Sequence, residues 1–318
     1  GPGHYWLSVY GAPSSGFGWS YAYSNPDSPF FAVSFDNTAN WLGDWTNALA
    51  FRLLGTQETC PTSVVVANTN DSDVGSLRQA IADVCPDGTI GFDSTLSGTQ
   101  ITLGSELILD KNLTIDGSEL DSKVTISGNN AVRVFTIVSG NTVTLESLII
   151  TGGNNDNGGG IYNGGTLAIN NSSLVNNTGA IGGGIINNGT LSITDSTFSQ
   201  NIATNGGALT NNGTTTLTDC TISENQPQDG AGIDGSYGTL TVRDSTFSGN
   251  VASLRGGGIL IGYGSQASIF STTFVDNTAG DMGGGGILNM GTASVVNSTF
   301  TGNVTASTVR GSAINNST

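Results

Sequence analysis

From Ile150 to the end of the chain one phrase recurs: a glycine pair or triplet, an aliphatic residue, a T-L-x-I segment, then S-T-F-x-x-N. Aligned on the closing apolar residue, the copies fall at Ile150, Leu174, Phe198, Ile222, Phe247, Phe274 and Phe300, separated by 24, 24, 24, 25, 27 and 26 positions. A period this regular fixes the architecture before any single residue is weighed. Leucine-rich repeats share the length but need an L-x-x-L-x-L-x-x-N frame, and propeller blades need about 40 residues or more. Inside each unit the apolar residues sit at i and i+2, as in Leu167/Ile169, Leu191/Ile193 and Leu240/Val242, which is the alternation of a strand.

Three short strands joined by Gly/Asn turns fill one coil, and coils stack at the strand spacing of about 4.8 Å. The expected fold is therefore an all-β, right-handed parallel β-helix with three strands per coil. The pattern extends backwards, more loosely, through Val143/Leu145, Phe135/Ile137, Val124/Ile126, Leu113/Ile115 and Ile101/Leu103. About nine coils make a rod roughly 40 Å long. Three residues beyond the apolar marker stand Asn177, Asn201, Asn225, Asn250, Asn277 and Asn303. Asparagine tolerates a left-handed corner, and its amide both donates and accepts, so stacked copies can bond along the axis. Aspartate in the same row would repel its neighbours.

Three regions are expected: a partial β-sandwich over residues 1–57, a linker with a capping helix over 58–88, and the β-helix over 89–318. The first holds all four tryptophans and alternating runs such as Tyr5 to Tyr10 and Phe30 to Phe35, which read as antiparallel strands too few to close a sandwich. Its Trp19, Tyr21, Tyr23, Trp41 and Trp45 suit either core packing or stacking on sugar rings. In the second, Ser76-Leu77-Arg78-Gln79 is a capping box, and Leu77, Ala80, Ile81 and Val84 share one helical face, which would plug the first coil. Cys60 and Cys85 flank this segment and can form one disulfide. Cys220 fills a slot where other coils place serine, so it reads as a small packing residue.

Eight Lys+Arg against 24 Asp+Glu give a formal charge of −16, which argues against nucleic acid and anionic membranes as partners. No stretch approaches the roughly 18 apolar residues of a membrane span. The chain reads as the mature form of a secreted, extracellular protein, or as an expressed piece whose Gly1-Pro2 is a tag scar. Sequons at Asn112, Asn170 and Asn188 are consistent with a glycoprotein, although an Asn/Thr-rich repeat generates them by composition.

Two stretches carry a resemblance to known families. Tyr5-Trp6-Leu7-Ser8-Val9, Gly18-Trp19-Ser20-Tyr21-Ala22, Phe31-Ala32-Val33-Ser34 and Ala48 to Gly55 resemble the C-terminal half of a choice-of-anchor R domain. Asn68-Thr69-Asn70-Asp71, then Gly75-Ser76-Leu77-Arg78-Gln79-Ala80-Ile81 and Gly88-Thr89-Ile90, resemble the start of bacterial surface β-helix proteins of the choice-of-anchor Q and C-S-L-R-E-A group, with Gly75 where that motif has cysteine. Coils such as Gly182-Gly183-Gly184-Ile185 with Thr197 to Asn201 are similar to the repeats of polymorphic outer-membrane proteins. The resemblance covers residues 63–318 and implies the fold; such repeats serve adhesins, passengers and enzymes alike.

An enzymatic reading rests on one column. Three residues before the apolar marker sit Asn171, Asp195, Asp219, Asp244, Ser271 and Asn297, so three carboxylates stack about 5 Å apart. They suit turn formation or a weak Ca²⁺ site better than catalysis, because a pectin-type enzyme adds loops over a cleft and clustered Arg, Lys or His. The glycine runs at Gly158 to Gly160 and Gly283 to Gly286 lack the lysine and helix of a phosphate cradle and read as tight corners. The expectation is a non-enzymatic subunit of an extracellular filament or appendage. Its open ends, half a sandwich before the coils and the uncapped run Ile314 to Thr318, would pair head-to-tail with other copies. The alternatives are a surface adhesin or carbohydrate-binding stalk and a polysaccharide lyase or hydrolase of the pectin-lyase-like superfamily.

Overall fold

The computed structural model describes residues 60–306, 308 and 310–317; the expected sandwich over 1–57, with Trp19, Tyr21, Tyr23, Trp41 and Trp45, lies outside the described residues. Each T-L-x-I segment forms a five-residue strand such as Thr190–Thr194, with Leu191 and Ile193 buried and Thr190 and Ser192 exposed. The S-T-F phrase forms a three-residue strand such as Thr197–Ser199, and the segment after the glycines a third, such as Leu209–Asn211.

Stacked in parallel, these strands build three sheets. The first has ten strands, from Ser63–Val66 to Thr292–Val296. The second has nine, from Gln100–Thr102 to Thr299–Thr301, and the third nine, from Leu107–Leu109 to Ile314–Asn316. Register is maintained coil upon coil: Thr166 lies beside Thr190 and Thr190 beside Thr214, while Phe198 lies beside Ile222 and Ile222 beside Phe247. Like residues therefore stack on like. Phe247, Phe274 and Phe300 pile ring on ring, with centroids 4.9 and 4.7 Å apart and planes within 14° and 2° of parallel. The strand spacing imposes that separation, and each such contact adds about 1 kcal/mol to area burial.

The solenoid starts earlier than the sequence pattern suggests. Ser63–Val66, expected in a linker, is the first strand of the ten-stranded sheet and pairs with Gly88–Phe92, Ser63 beside Thr89. The helix Leu77–Asp83 is thus inserted within the first coil and does not precede it. Leu77, Ala80 and Ile81 join the core. Only half of the expected capping box forms: the Gln79 N–H donates to Ser76 Oγ at 3.1 Å, while the Gln79 side chain donates to Asp83 at 2.7 Å. Arg78 fastens the helix by donating to Asp71 Oδ1 and to the carbonyls of Asp71, Ser105 and Glu106. At the other end Lys111 Nζ donates to the carbonyls of Ala82 and Val84 at 3.0 and 2.8 Å, satisfying acceptors that a helix C-terminus leaves open. A disulfide joins Cys60 to Cys85 across the same coil.

The corners divide the work differently from the expectation. The left-handed conformation falls one residue before each ladder asparagine, at Asn176, Gln200, Glu224 and Asp276 with φ between 54° and 56°, and at Gly249 and Gly302 with φ of 60° and 65°. The ladder asparagines themselves need no special backbone there. A second left-handed column, between the first and second sheets, is Asn171, Asp195, Asp219, Asp244, Ser271 and Asn297.

Between the second and third sheets the chain doubles back over the outside of the third. Ile186, Thr210, Asp234, Leu260 and Leu288 face outward from its strands yet are buried. The glycines permit the reversal: Gly182 has φ +65° and a Cβ there would collide with the Ile185 carbonyl.

Candidate functional site

Every buried polar side chain in the described solenoid is hydrogen-bonded. The longest system is the asparagine ladder. Asn177 Nδ2 donates to Asn201 Oδ1 at 3.1 Å, and the steps to Asn225, Asn250, Asn277 and Asn303 repeat it at 2.9–3.0 Å. Each Oδ1 also accepts the backbone N–H of the preceding ladder residue, for example Asn201 N–H to Asn225 Oδ1 at 3.0 Å. The second amide hydrogen goes to a carbonyl farther back, as from Asn225 to Phe198 at 3.1 Å. Both amide functions are consumed by the rod itself.

A second amide column, not singled out by the sequence reading, runs along the third sheet. Asn163 donates to Asn187 at 2.7 Å and Asn187 to Asn211 at 3.0 Å. It stops where Gly235 and Ile261 take the position, and resumes at Asn289, which donates to Asn316 at 2.7 Å. The repeated I-x-N and L-x-N before each Gly-Thr carried the signal at the same period as the first ladder.

The third column is hydroxylic. The N–H of Leu148 donates to Ser172 Oγ, that of Ser172 to Ser196 Oγ, that of Cys220 to Ser245 Oγ and that of Thr272 to Ser298 Oγ, at 3.0–3.2 Å. Cys220 occupies one rung, its thiol turned to the Thr218 carbonyl at 3.2 Å. Burial pushes this thiol up to about 11, against weaker lowering by backbone contacts to Ser196 and Thr218. It is a buried free cysteine held in its protonated form.

The structure does not gather the three candidate Ca²⁺ ligands into a site. Asp195, Asp219 and Asp244 are exposed residues in left-handed turns, with φ of 50°, 55° and 49°. Among the described residues no group of three or more His, Cys, Asp or Glu side chains is arranged to hold a metal ion. Their position gives them a turn-forming part, because aspartate adopts this conformation at lower cost than most residues.

Two charge clusters are centred on the segments that join the second sheet to the third. Arg255 forms a two-pronged pair with Asp229, Nε to Oδ1 at 2.9 Å and Nη2 to Oδ2 at 2.6 Å. Asp234, 4 % exposed, accepts from the backbone and hydroxyl of Ser236. Burial raises its pKa, the Ser236 hydrogen bonds oppose that, Asp229 adds repulsion and Arg255 relieves it. At the other cluster Arg133 spends all five N–H groups on Glu106, Thr136, Asn155 and the carbonyls of Asn157 and Gly158, with its guanidinium 5.4 Å from the centre of the Tyr162 ring. These groups tie coils together. Alternation and period do not reveal them, because each charged partner occurs once and all but Asp234 sit outside the strands in segments of variable sequence.

Three parallel sheets wound as one coil, with buried ladders along the axis, define a parallel β-solenoid. The model of the right handed beta helix region family matches residues 112–274, just over half of the chain, and the protein belongs to that family. Comparisons with curated proteins and with solved structures return no significant match.

Proposed function

We propose that this solenoid is a non-enzymatic structural element of an extracellular filament or surface appendage. The supporting observation is the direction of its buried chemistry. The asparagine ladder links each coil to the next without a break from Asn177 to Asn303, the second amide column and the hydroxyl column add rungs at some of the same steps, and the two described arginine clusters also join neighbouring coils. Such an interior resists bending and shear, because sliding one coil over another in the regular array breaks the ladder and every further rung at that step together. It offers stiffness and length, the properties of a stalk or fibre.

The same geometry gives a mode of association. Each sheet grows by one strand per coil, so a coil from a second copy would continue three strand rows and the ladders at once, a form of strand addition. The decisive measurement is electron microscopy of the purified chain with analytical ultracentrifugation. End-to-end threads that lengthen with concentration are expected; only dispersed single rods at all concentrations would remove the filament. The enzymatic alternative is tested by activity on acidic glycans that disappears when Asp195, Asp219 and Asp244 are replaced.

A further inference from the structure

Two of the three outward columns of the ten-stranded sheet form an array of hydroxyl groups that no buried column uses, while the third carries mixed residues, among them Glu146, Arg243 and Phe270. Thr142, Thr166, Thr190, Thr214 and Thr239 stand side by side on successive strands, all exposed. Two residues along, from Ser63 to Ser294, the neighbouring column carries serine or threonine on every strand of the sheet except at Ala168. Neither column contains a charged residue over these coils, although the chain carries a formal charge of −16.

Geometry sets what such a face can fit. Neighbouring strands repeat at about 4.8 Å and residues i and i+2 at about 6.6 Å. In a tetrahedral water lattice with O···O of about 2.75 Å, second-neighbour oxygens lie about 4.5 Å apart, and the stacking repeat is eight-thirds of the bond length, about 7.3 Å. Both spacings agree to about a tenth. Threonine's branched side chain has few χ1 choices, so its hydroxyl and methyl positions are fixed before contact and little entropy is lost on binding. Waters bridging such a grid are ordered at low cost. The two hydroxyl columns are themselves uncharged and suit an uncharged lattice; the charges of this face, at Asp116, Glu146 and Arg243, lie in the column beside them.

We propose that this Ser/Thr face binds ice. This goes beyond the structural role and does not depend on filament formation. The test is partition of the full chain into a slowly growing ice front, with ice recrystallisation measured in parallel. Thr190→Lys combined with Thr214→Lys places two charges in the grid at exposed positions; Thr190→Val keeps the shape and removes one hydroxyl. Thr204→Lys, exposed in the segment over the third sheet, is the control, and circular dichroism checks that each variant is folded. The expected result is incorporation of the unaltered protein and of Thr204→Lys, with at least a tenfold loss for the double variant and a smaller loss for Thr190→Val. Exclusion of the unaltered protein from ice overturns the proposal, as does equal behaviour of the grid and control variants. Binding to microcrystalline cellulose that the double variant loses, without incorporation into ice, overturns it in favour of a polysaccharide surface.

Discussion

At the scale of single residues, the ladder asparagine is hard to replace because both of its ends are used. Asn225 accepts from the backbone and side chain of Asn201 and donates to Asn250 and to the Phe198 carbonyl. Asn225→Ala strands several buried groups, at about 1–3 kcal/mol apiece, so a loss of about 3–5 kcal/mol in unfolding free energy is expected by denaturant titration. A change below about 1 kcal/mol would show the ladder to be incidental. Cys220 gives the opposite case. Its thiol stands in a hydroxyl column, so Cys220→Ser restores the common rung and should leave stability within about 0.5 kcal/mol or raise it. The raised thiol pKa adds a second outcome. A folded value of about 11 against 9.0 means that the stability this group confers is complete below pH 9 and is lost as the pH climbs from 9 towards 11. Native protein at pH 8 should therefore resist alkylation, and unfolded protein should label at once.

At the scale of elements, strands and their facing were legible because alternation reports them directly, as in Thr190–Thr194. The first ladder was legible because its residues recur without a gap. The second was hidden by its break at Gly235 and Ile261, and the strand Ser63–Val66 by the helix that separates it from the regular coils. The covered outer face of the third sheet was illegible for a physical reason: its residues are buried by a backbone reversal at glycines, and a run of glycines does not state which way the chain turns. That burial has a consequence at Asp234. Its folded pKa is raised above 3.8, first by desolvation, so its favourable contribution is present at pH below 3.8 and is lost as the pH rises through the folded value. Asp234→Asn keeps an acceptor for Ser236 and removes the charge. Its melting temperature relative to the unaltered protein should increase from acid towards neutral pH, and a difference independent of pH would contradict the burial argument.

At the scale of the whole molecule, each coil touches its immediate neighbours, so stability is close to a sum of coil terms and nearest-neighbour couplings. A perturbation at one place should then act locally first. The first coil is the place to test this, since the disulfide, the Arg78 contacts and the Lys111 cap all converge there. Cys60 and Cys85 are 25 residues apart, and closing a loop of that size stabilises by about 3 kcal/mol. Replacing both by serine should raise hydrogen exchange in Ser63–Val66 and Leu77–Asp83, and exchange at Thr190–Thr194 and Thr214–Thr218 should hardly change. A uniform rise along the rod would mean instead that the coils unfold as one unit. The ladders would then transmit disruption along the axis as effectively as they transmit order, and the additive picture of the solenoid would have to be given up.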